Sequence, residues 1–191
     1  MHAYVSNGRR GPWGPAMTAV VPPPGPPTPQ GEAMVAELRW IHDMIRRDLG
    51  IALRLADEVT AGAPADEIRR GLTSLASQGP LWQLKINCLR YCRFVHAHHG
   101  IESASLFPAL RAANPALGPV VDRLEADHRT VSDVLDAVEA EAAGLGGPDE
   151  PAVRGRLAAA LRRLADELLP HLEYEEEHIS GTLATFTGPT G

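Results

Sequence analysis

Residues 81–102 read LWQLKINCLRYCRFVHAHHGIE, and this stretch decides the fold class. Residues that suit a buried interior recur in it at alternating spacings of three and four, which is the period of one face of an α-helix. They are Leu84, Cys88, Tyr91, Val95, His98 and Glu102. The stretch therefore predicts a long helix with one buried face, and this face ends in a histidine and a glutamate one turn apart.

Three further segments carry the same periodicity, so the sequence predicts four long helices. The repeating positions are Val35, Leu38, His42, Ile45, Leu49, Ala52, Ala56 and Val59 in residues 32–60; Val121, Leu124, His128, Val131, Leu135 and Val138 in residues 117–142; and Leu157, Leu161, Leu164, Leu168, His171, Glu175 and His178 in residues 150–180. Strand-like alternation is almost absent. We therefore expect an all-α fold, an up-down-up-down four-helix bundle.

Proline and glycine mark the ends of the predicted elements. Residues 1–31 form a Pro/Gly-rich tail that we expect to be disordered, and residues 32–180 form the bundle. A short additional helix is predicted at residues 65–78. Pro108 should kink or end the second long helix. Residues 181–191 are expected to form a flexible C-terminal tail.

Composition excludes several classes of protein. The chain has 191 residues and a net charge of −6, and it carries no basic stripe for nucleic acid. No apolar run reaches the roughly 18 residues of a membrane helix. Arg9 and Arg10 are followed by GPWGP rather than by an apolar segment, so no export signal is predicted. Cys88 and Cys92 are expected to be reduced core residues. We expect a cytoplasmic protein that binds neither nucleic acid nor membrane.

Polar residues on the buried faces point to a metal site. A lone histidine on an apolar face is usually a core residue with a hydrogen-bond partner. Here each long helix contributes one histidine, and a buried carboxylate is costly unless it is paired or bound to a cation. The candidate metal ligands are His42, His98, Glu102, His128, His171 and Glu175.

The number of donors favours two ions. Six protein ligands exceed the four of a typical zinc site. If both carboxylates bridge, each ion receives two histidines, two carboxylate oxygens and a shared oxo, hydroxo or water ligand. Such a centre retains room for a small exogenous ligand. Nitrogen and carboxylate donors suit iron, and they suit manganese less well.

The remaining polar residues have interpretations of their own. At 100° per residue, His96 faces away from the buried stripe, and His99 lies at its edge as an outer neighbour of the site or an exposed residue. His178 is either a residue at the bundle mouth or an additional ligand or proton shuttle. Tyr91 is interpreted as core. A solvated acidic face is expected from Glu173, Glu176 and Glu177.

Several segments resemble the hemerythrin-like (HHE cation-binding) family over roughly residues 33–180. They are Trp40-Ile-His42-Asp, Val95-His-Ala-His98-His99-Gly-Ile-Glu102 with Leu106-Phe107-Pro108, Ala126-Asp-His128-Arg, and His171-Leu-Glu-Tyr-Glu175. The resemblance implies a bundle around a non-haem di-iron centre. By this resemblance one iron would be bound by His42 and His98, the other by His128 and His171, and the bridging carboxylates would be Glu102 and Glu175.

One departure from the family pattern bears on function. Oxygen-carrying hemerythrins have a second histidine four residues after the third-helix ligand, where this chain has Ser132, and an aspartate five residues after the last histidine, where it has Glu175 at four. The resemblance then implies a symmetric, five-coordinate centre that reacts with a small oxidant or senses it. Reversible oxygen carriage is not expected.

Three functions remain open at this stage. The first is a di-iron protein that binds or reacts with O2, NO or H2O2, with an electron donor as a further partner. The second is a non-catalytic sensor of iron, oxygen or redox state, and the sequence does not decide whether the chain is an enzyme. A ferritin-like di-iron oxidase is the third, because Glu125 with His128 and Glu175 with His178 match its ExxH spacing.

Overall fold

The fold is known from a computed structural model that describes residues 20–61, 80–146 and 150–187, and all regular secondary structure in these ranges is helical. The helices are α1 (Pro29–Thr60), α2 (Pro80–Ile101), α3 (Phe107–Ala113), α4 (Gly118–Ala143) and α5 (Glu150–Leu183). A π-helical turn, Glu102–Leu106, joins α2 to α3, and a 3-10 turn, Pro115–Leu117, precedes α4. The short helix predicted at residues 65–78 lies outside the described residues.

The four long helices form a bundle. Helix α1 packs against α2 and α5, and α4 packs against the same two helices, so the helices close into a ring in the order α1, α2, α4, α5. This confirms the predicted all-helical bundle. The up-down-up-down order stays a prediction. Within the described ranges, none of the helices has the length and apolar character needed to cross a lipid bilayer.

Two apolar clusters fill the bundle, and a layer of buried polar side chains separates them. The smaller cluster lies beside the chain termini of the bundle, and the larger one fills the opposite part. Helices α1 and α4 pass through smaller cluster, polar layer and larger cluster in the same order: Leu38, His42 and Ile45 in α1, and Leu124, His128 and Val131 in α4. The predicted histidines therefore interrupt an otherwise continuous core.

The end of α2 differs from a simple helix end. Pro108 has no N–H to donate to the carbonyl of Ala104, so the regular hydrogen-bond pattern cannot continue. The backbone instead widens into the π turn, in which the Phe107 N–H donates to the carbonyl of Glu102. The chain then resumes an α-helix with Pro108 in its first turn. The π turn thus begins at Glu102, and such turns are frequent at functional sites.

Residues 20–28 pack against the C-terminal end of α5, which differs from the loose tails expected at both ends. The N–H of Thr28 donates to the carbonyl of Ala184 at 2.8 Å, and the Nδ2 of Asn114 donates to the carbonyl of Pro22 at 3.0 Å. A Cβ added to Gly31 would lie 2.1 Å from the Ala184 oxygen, so the backbones are in direct contact. These contacts join segments far apart in sequence, and local patterns do not reveal them. Residues 1–19 lie outside the described residues.

Candidate metal centre

The polar layer brings all six predicted ligands together from the four long helices and the π turn. Each is less than a tenth exposed, and the side chains of His42 and Glu175 are fully buried. The six are His42 of α1, His98 of α2, Glu102 of the π turn, His128 of α4, and His171 and Glu175 of α5. The stripe positions converge because each helix turns its apolar face inward.

The Glu102 carboxylate lies between histidines of two different helices. Its Oε1 is 3.2 Å from Nε2 of His98, and its Oε2 is 3.6 Å from Nε2 of His128. The two oxygens therefore face two separate positions within the layer. A carboxylate placed in this way can bridge two ions.

The Glu175 carboxylate also lies between two histidines, one of α1 and one of its own helix α5. Its Oε2 is 3.6 Å from Nε2 of His42 and 3.6 Å from Nε2 of His171. Donor atoms of His42, His98 and Glu102 come within 4.8 Å of one another, and so do those of Glu102, His128 and Glu175. These separations suit donors arranged around one or two ions.

The electrostatics of the layer depend on its burial. Burial lowers the pKa of His42, His98 and His128 from 6.5 to about 3, so these imidazoles are neutral. Burial also raises the pKa of Glu175 from 4.5 to about 8, and burial together with the neighbouring Glu175 raises the pKa of Glu102. Two carboxylates this close repel each other, and a bound cation compensates their charge.

Ten buried donor atoms of the layer have no hydrogen-bond partner among the described residues. They are Nε2 of His42, His98, His99 and His128, both ring nitrogens of His171, and both carboxylate oxygens of Glu102 and Glu175. Buried polar atoms are normally satisfied, and leaving them without partners costs free energy. Nitrogen and carboxylate oxygen are also the donors that first-row transition metals accept. The residues present therefore fit a buried metal centre.

Outer partners hold the histidine rings in place. Nδ1 of His42 lies 2.8 Å from Oε1 of Glu176, and Nδ1 of His128 lies 2.9 Å from Oγ of Ser103. Arg46 donates to the same Glu176 oxygen at 2.7 Å. When Nδ1 carries the proton toward such an acceptor, Nε2 is free to bind a metal. Glu176 was predicted to be part of a solvated face, and its role emerges only from its contact with α1.

His99 was predicted to be either an outer neighbour of the site or an exposed residue, and the structure places it next to the predicted ligands. It is buried, and its ring stacks on that of His128 at 3.9 Å between centroids with an interplanar angle of 8°. Donor atoms of His99, His128 and His171 lie within 4.8 Å of one another. Two histidines were expected for each iron, whereas the structure brings a third histidine close to one of these two pairs.

The other candidate residues lie away from the cluster. Nδ1 of His178 is 2.8 Å from the carbonyl oxygen of Tyr174, and the two rings stack at 3.9 Å. Tyr91 belongs to the larger apolar cluster, as predicted. Glu125 is partly exposed and lies 3.6 Å from Arg111. Of the two ExxH pairs of the ferritin-like alternative, only His128 and Glu175 therefore lie in the buried layer.

A groove between α2 and α4 leads from the surface to the centre. Its volume is about 360 Å³, and it is lined by His99 and His128 of the buried layer together with more exposed residues. Gly100 and Ser132 line it as well, and both are small. The groove therefore gives a small molecule a path to one side of the cluster.

Comparison with known families identifies the domain. The model of the hemerythrin HHE cation-binding domain matches residues 33–183, which include all six predicted ligands and the whole polar layer. The chain belongs to the hemerythrin HHE family. No curated protein and no solved structure matches it. Binding of a metal cation inside a helical bundle follows from membership of the HHE family and from the His and Glu clusters.

Proposed function

We propose that this HHE protein holds two non-haem irons and binds or reacts with a small oxidant, O2, NO or H2O2. His42 and His98 would hold one iron, and His128 and His171 the other. Glu102 and Glu175 would bridge them, with an oxo or hydroxo group from solvent as a third bridge. Iron supplies the capacity to accept and donate electrons and to polarise a bound oxidant.

The single observation that carries this proposal is the set of unpartnered donors in the polar layer. The two oxygens of Glu102 face His98 and His128, which belong to two different helices. One ion bound by all six side chains would have a full octahedral shell and no position for an oxidant. Two ions use every donor and leave an open position.

The surrounding residues would control access and redox behaviour. Apolar clusters above and below the layer exclude water, and a dry environment strengthens electrostatic interactions within it. The groove beside His99 and His128 supplies a route for a small ligand. Buried, unpaired Cys88 and Cys92 suit the reducing cytoplasm, which we propose as the location, with an electron donor there as partner.

Stopped-flow mixing of the iron-loaded protein with H2O2 or NO tests the proposal. A protein that reacts with the oxidant consumes many equivalents when a reductant is supplied. A sensor saturates near one equivalent per centre and returns to its initial spectrum when the ligand is removed. Absence of any spectral response to O2, NO and H2O2 would contradict both functions.

A further inference from the structure

Two consecutive histidines of α2 face different parts of the buried layer. The His98 ring lies against His42, with 5.2 Å between centroids, whereas the His99 ring lies against His128 and His171, at 3.9 Å and 5.1 Å. Consecutive side chains on a helix diverge by 100°. One helix can therefore supply an imidazole donor to each of two neighbouring metal positions.

His99 places an unpartnered nitrogen close to the donor nitrogens of His128 and His171. Its Nε2 is buried and has no hydrogen-bond partner among the described residues. The same is true of Nε2 of His128 and both nitrogens of His171, and the three rings bring donor atoms within 4.8 Å of one another. Three imidazoles whose Nε2 atoms lack hydrogen-bond partners in the described part of the chain would gain nothing from this proximity without a shared cation.

The sequence of α4 leaves this side of the centre short of a donor. Ser132 follows His128 by one helical turn and offers no nitrogen. Ser132 and His99 line the same groove, and the Oγ of Ser132 lies 3.5 Å from Nδ1 of His96. The nitrogen that α4 does not offer on this side of the layer is available from His99 of α2.

We propose that His99 is a metal ligand, which completes a three-histidine position of His99, His128 and His171 beside a two-histidine position of His42 and His98. This inference rests on the proposed di-iron function. With both carboxylates and one solvent-derived oxygen shared, the first position has six donors and the second has five. The two irons would then be inequivalent, because one has three histidine donors and the other has two.

The first test compares iron-loaded full-length wild type, His99→Gln and the control His96→Gln by Mössbauer spectroscopy and by the rate of iron release to a chelator. His96 lines the same groove, but its side chain is 33 % exposed and lies beside Asp136. We expect two distinct iron signals of equal area in wild type and in His96→Gln. In His99→Gln the signal of one iron should change, and release of that iron should be about tenfold faster or more.

A second measurement needs no variant. Proton NMR of the wild type loaded with a paramagnetic divalent ion should show one strongly shifted, exchangeable N–H signal for each bound imidazole. His99 ligation predicts signals from five histidines, His42, His98, His99, His128 and His171. Signals from only four would overturn the proposal even if the His99→Gln protein did not fold.

The outcomes separate this inference from the function on which it rests. Wild type that retains two irons, with His99→Gln unchanged in spectrum and release rate, overturns the role of His99 alone. An equal effect of His96→Gln also overturns it, because the groove rather than ligation would then be responsible. Wild type that binds no iron overturns both proposals.

Discussion

The Nδ1 atom of His42 in α1 lies 2.8 Å from Oε1 of Glu176 in α5, although the two residues are 134 positions apart in the chain. Arg46 holds the same oxygen at 2.7 Å, so the carboxylate is fixed between a guanidinium and an imidazole. This arrangement keeps the proton on Nδ1 of His42 and directs Nε2 toward Glu175. Glu176 is therefore a positioning residue for the centre.

Replacement of this carboxylate should weaken the hold on one iron. Glu176→Ala removes the acceptor from His42, and loss of such outer partners lowers metal affinity by about 10–100-fold. The matched control is Glu173→Ala, an exposed glutamate of the same helix. Iron release to a chelator, followed optically, measures the difference. Equal release rates for Glu176→Ala, Glu173→Ala and wild type would show that the His42–Glu176 contact has no role in binding.

A neutral hydroxyl supports His128 in the same way. Ser103→Ala removes the oxygen 2.9 Å from Nδ1 of His128, and we expect faster iron release with a smaller effect than Glu176→Ala. A hydroxyl is a weaker acceptor than a carboxylate, which explains the order. Ser105→Ala, an exposed serine two residues later, is the control. The explanation fails if Ser103→Ala releases iron no faster than the control Ser105→Ala.

The groove between α2 and α4 should control how fast a small ligand reaches the centre. Ser132→Phe fills part of its lining, and we expect association of azide with the iron-loaded protein to slow by about tenfold while iron content stays at the wild-type level. Thr130→Phe places the same ring on the exposed side of α4 as a control. Association rates that are equal in the two variants would mean that ligands use another route.

The apolar stripes predicted the long helices and the six candidate ligands that meet in the polar layer. Periodicity works here because a packed helix must bury one face, and the histidines lie in phase with it. Glu176 was wrongly assigned to a solvated face, and the sequence left open whether His99 is exposed, for a shared reason. Each directly follows a stripe residue, and a helix in contact with two neighbours buries an arc wide enough for consecutive positions. The partners that decide their roles lie on other helices, which sequence phase alone does not show.

Local sequence patterns also could not predict that the N-terminal segment packs against the end of α5. This packing provides a test of stability. Gly31→Ala would force a Cβ against the backbone oxygen of Ala184, so we expect the free energy of unfolding to fall by about 1–3 kcal/mol. Gly155→Ala in α5 is the control, because a Cβ there meets nothing within 4 Å. That variant should gain about 0.5–1 kcal/mol from helix propensity. Chemical denaturation measures both, and a Gly31→Ala protein as stable as Gly155→Ala would contradict the close contact.

Removal of metal should destabilise the whole bundle, because the polar layer separates its two apolar clusters. A metal that binds only the folded state adds about 2.7 kcal/mol at a free concentration 100 times its dissociation constant. We therefore expect the melting temperature to fall after chelation and to recover on addition of ferrous iron. Identical melting of the metal-free and iron-loaded proteins would show that the layer is stable without ions.

The most direct test of the central claim is the iron content of the purified protein after anaerobic loading and desalting, measured with its optical spectrum. The di-iron centre predicts two irons per chain and near-ultraviolet oxo-to-iron bands, both reduced in His98→Ala and Glu175→Ala and both retained in His178→Ala, whose histidine lies against Tyr174 outside the cluster. A well-folded wild type that remains free of iron after loading would contradict the account.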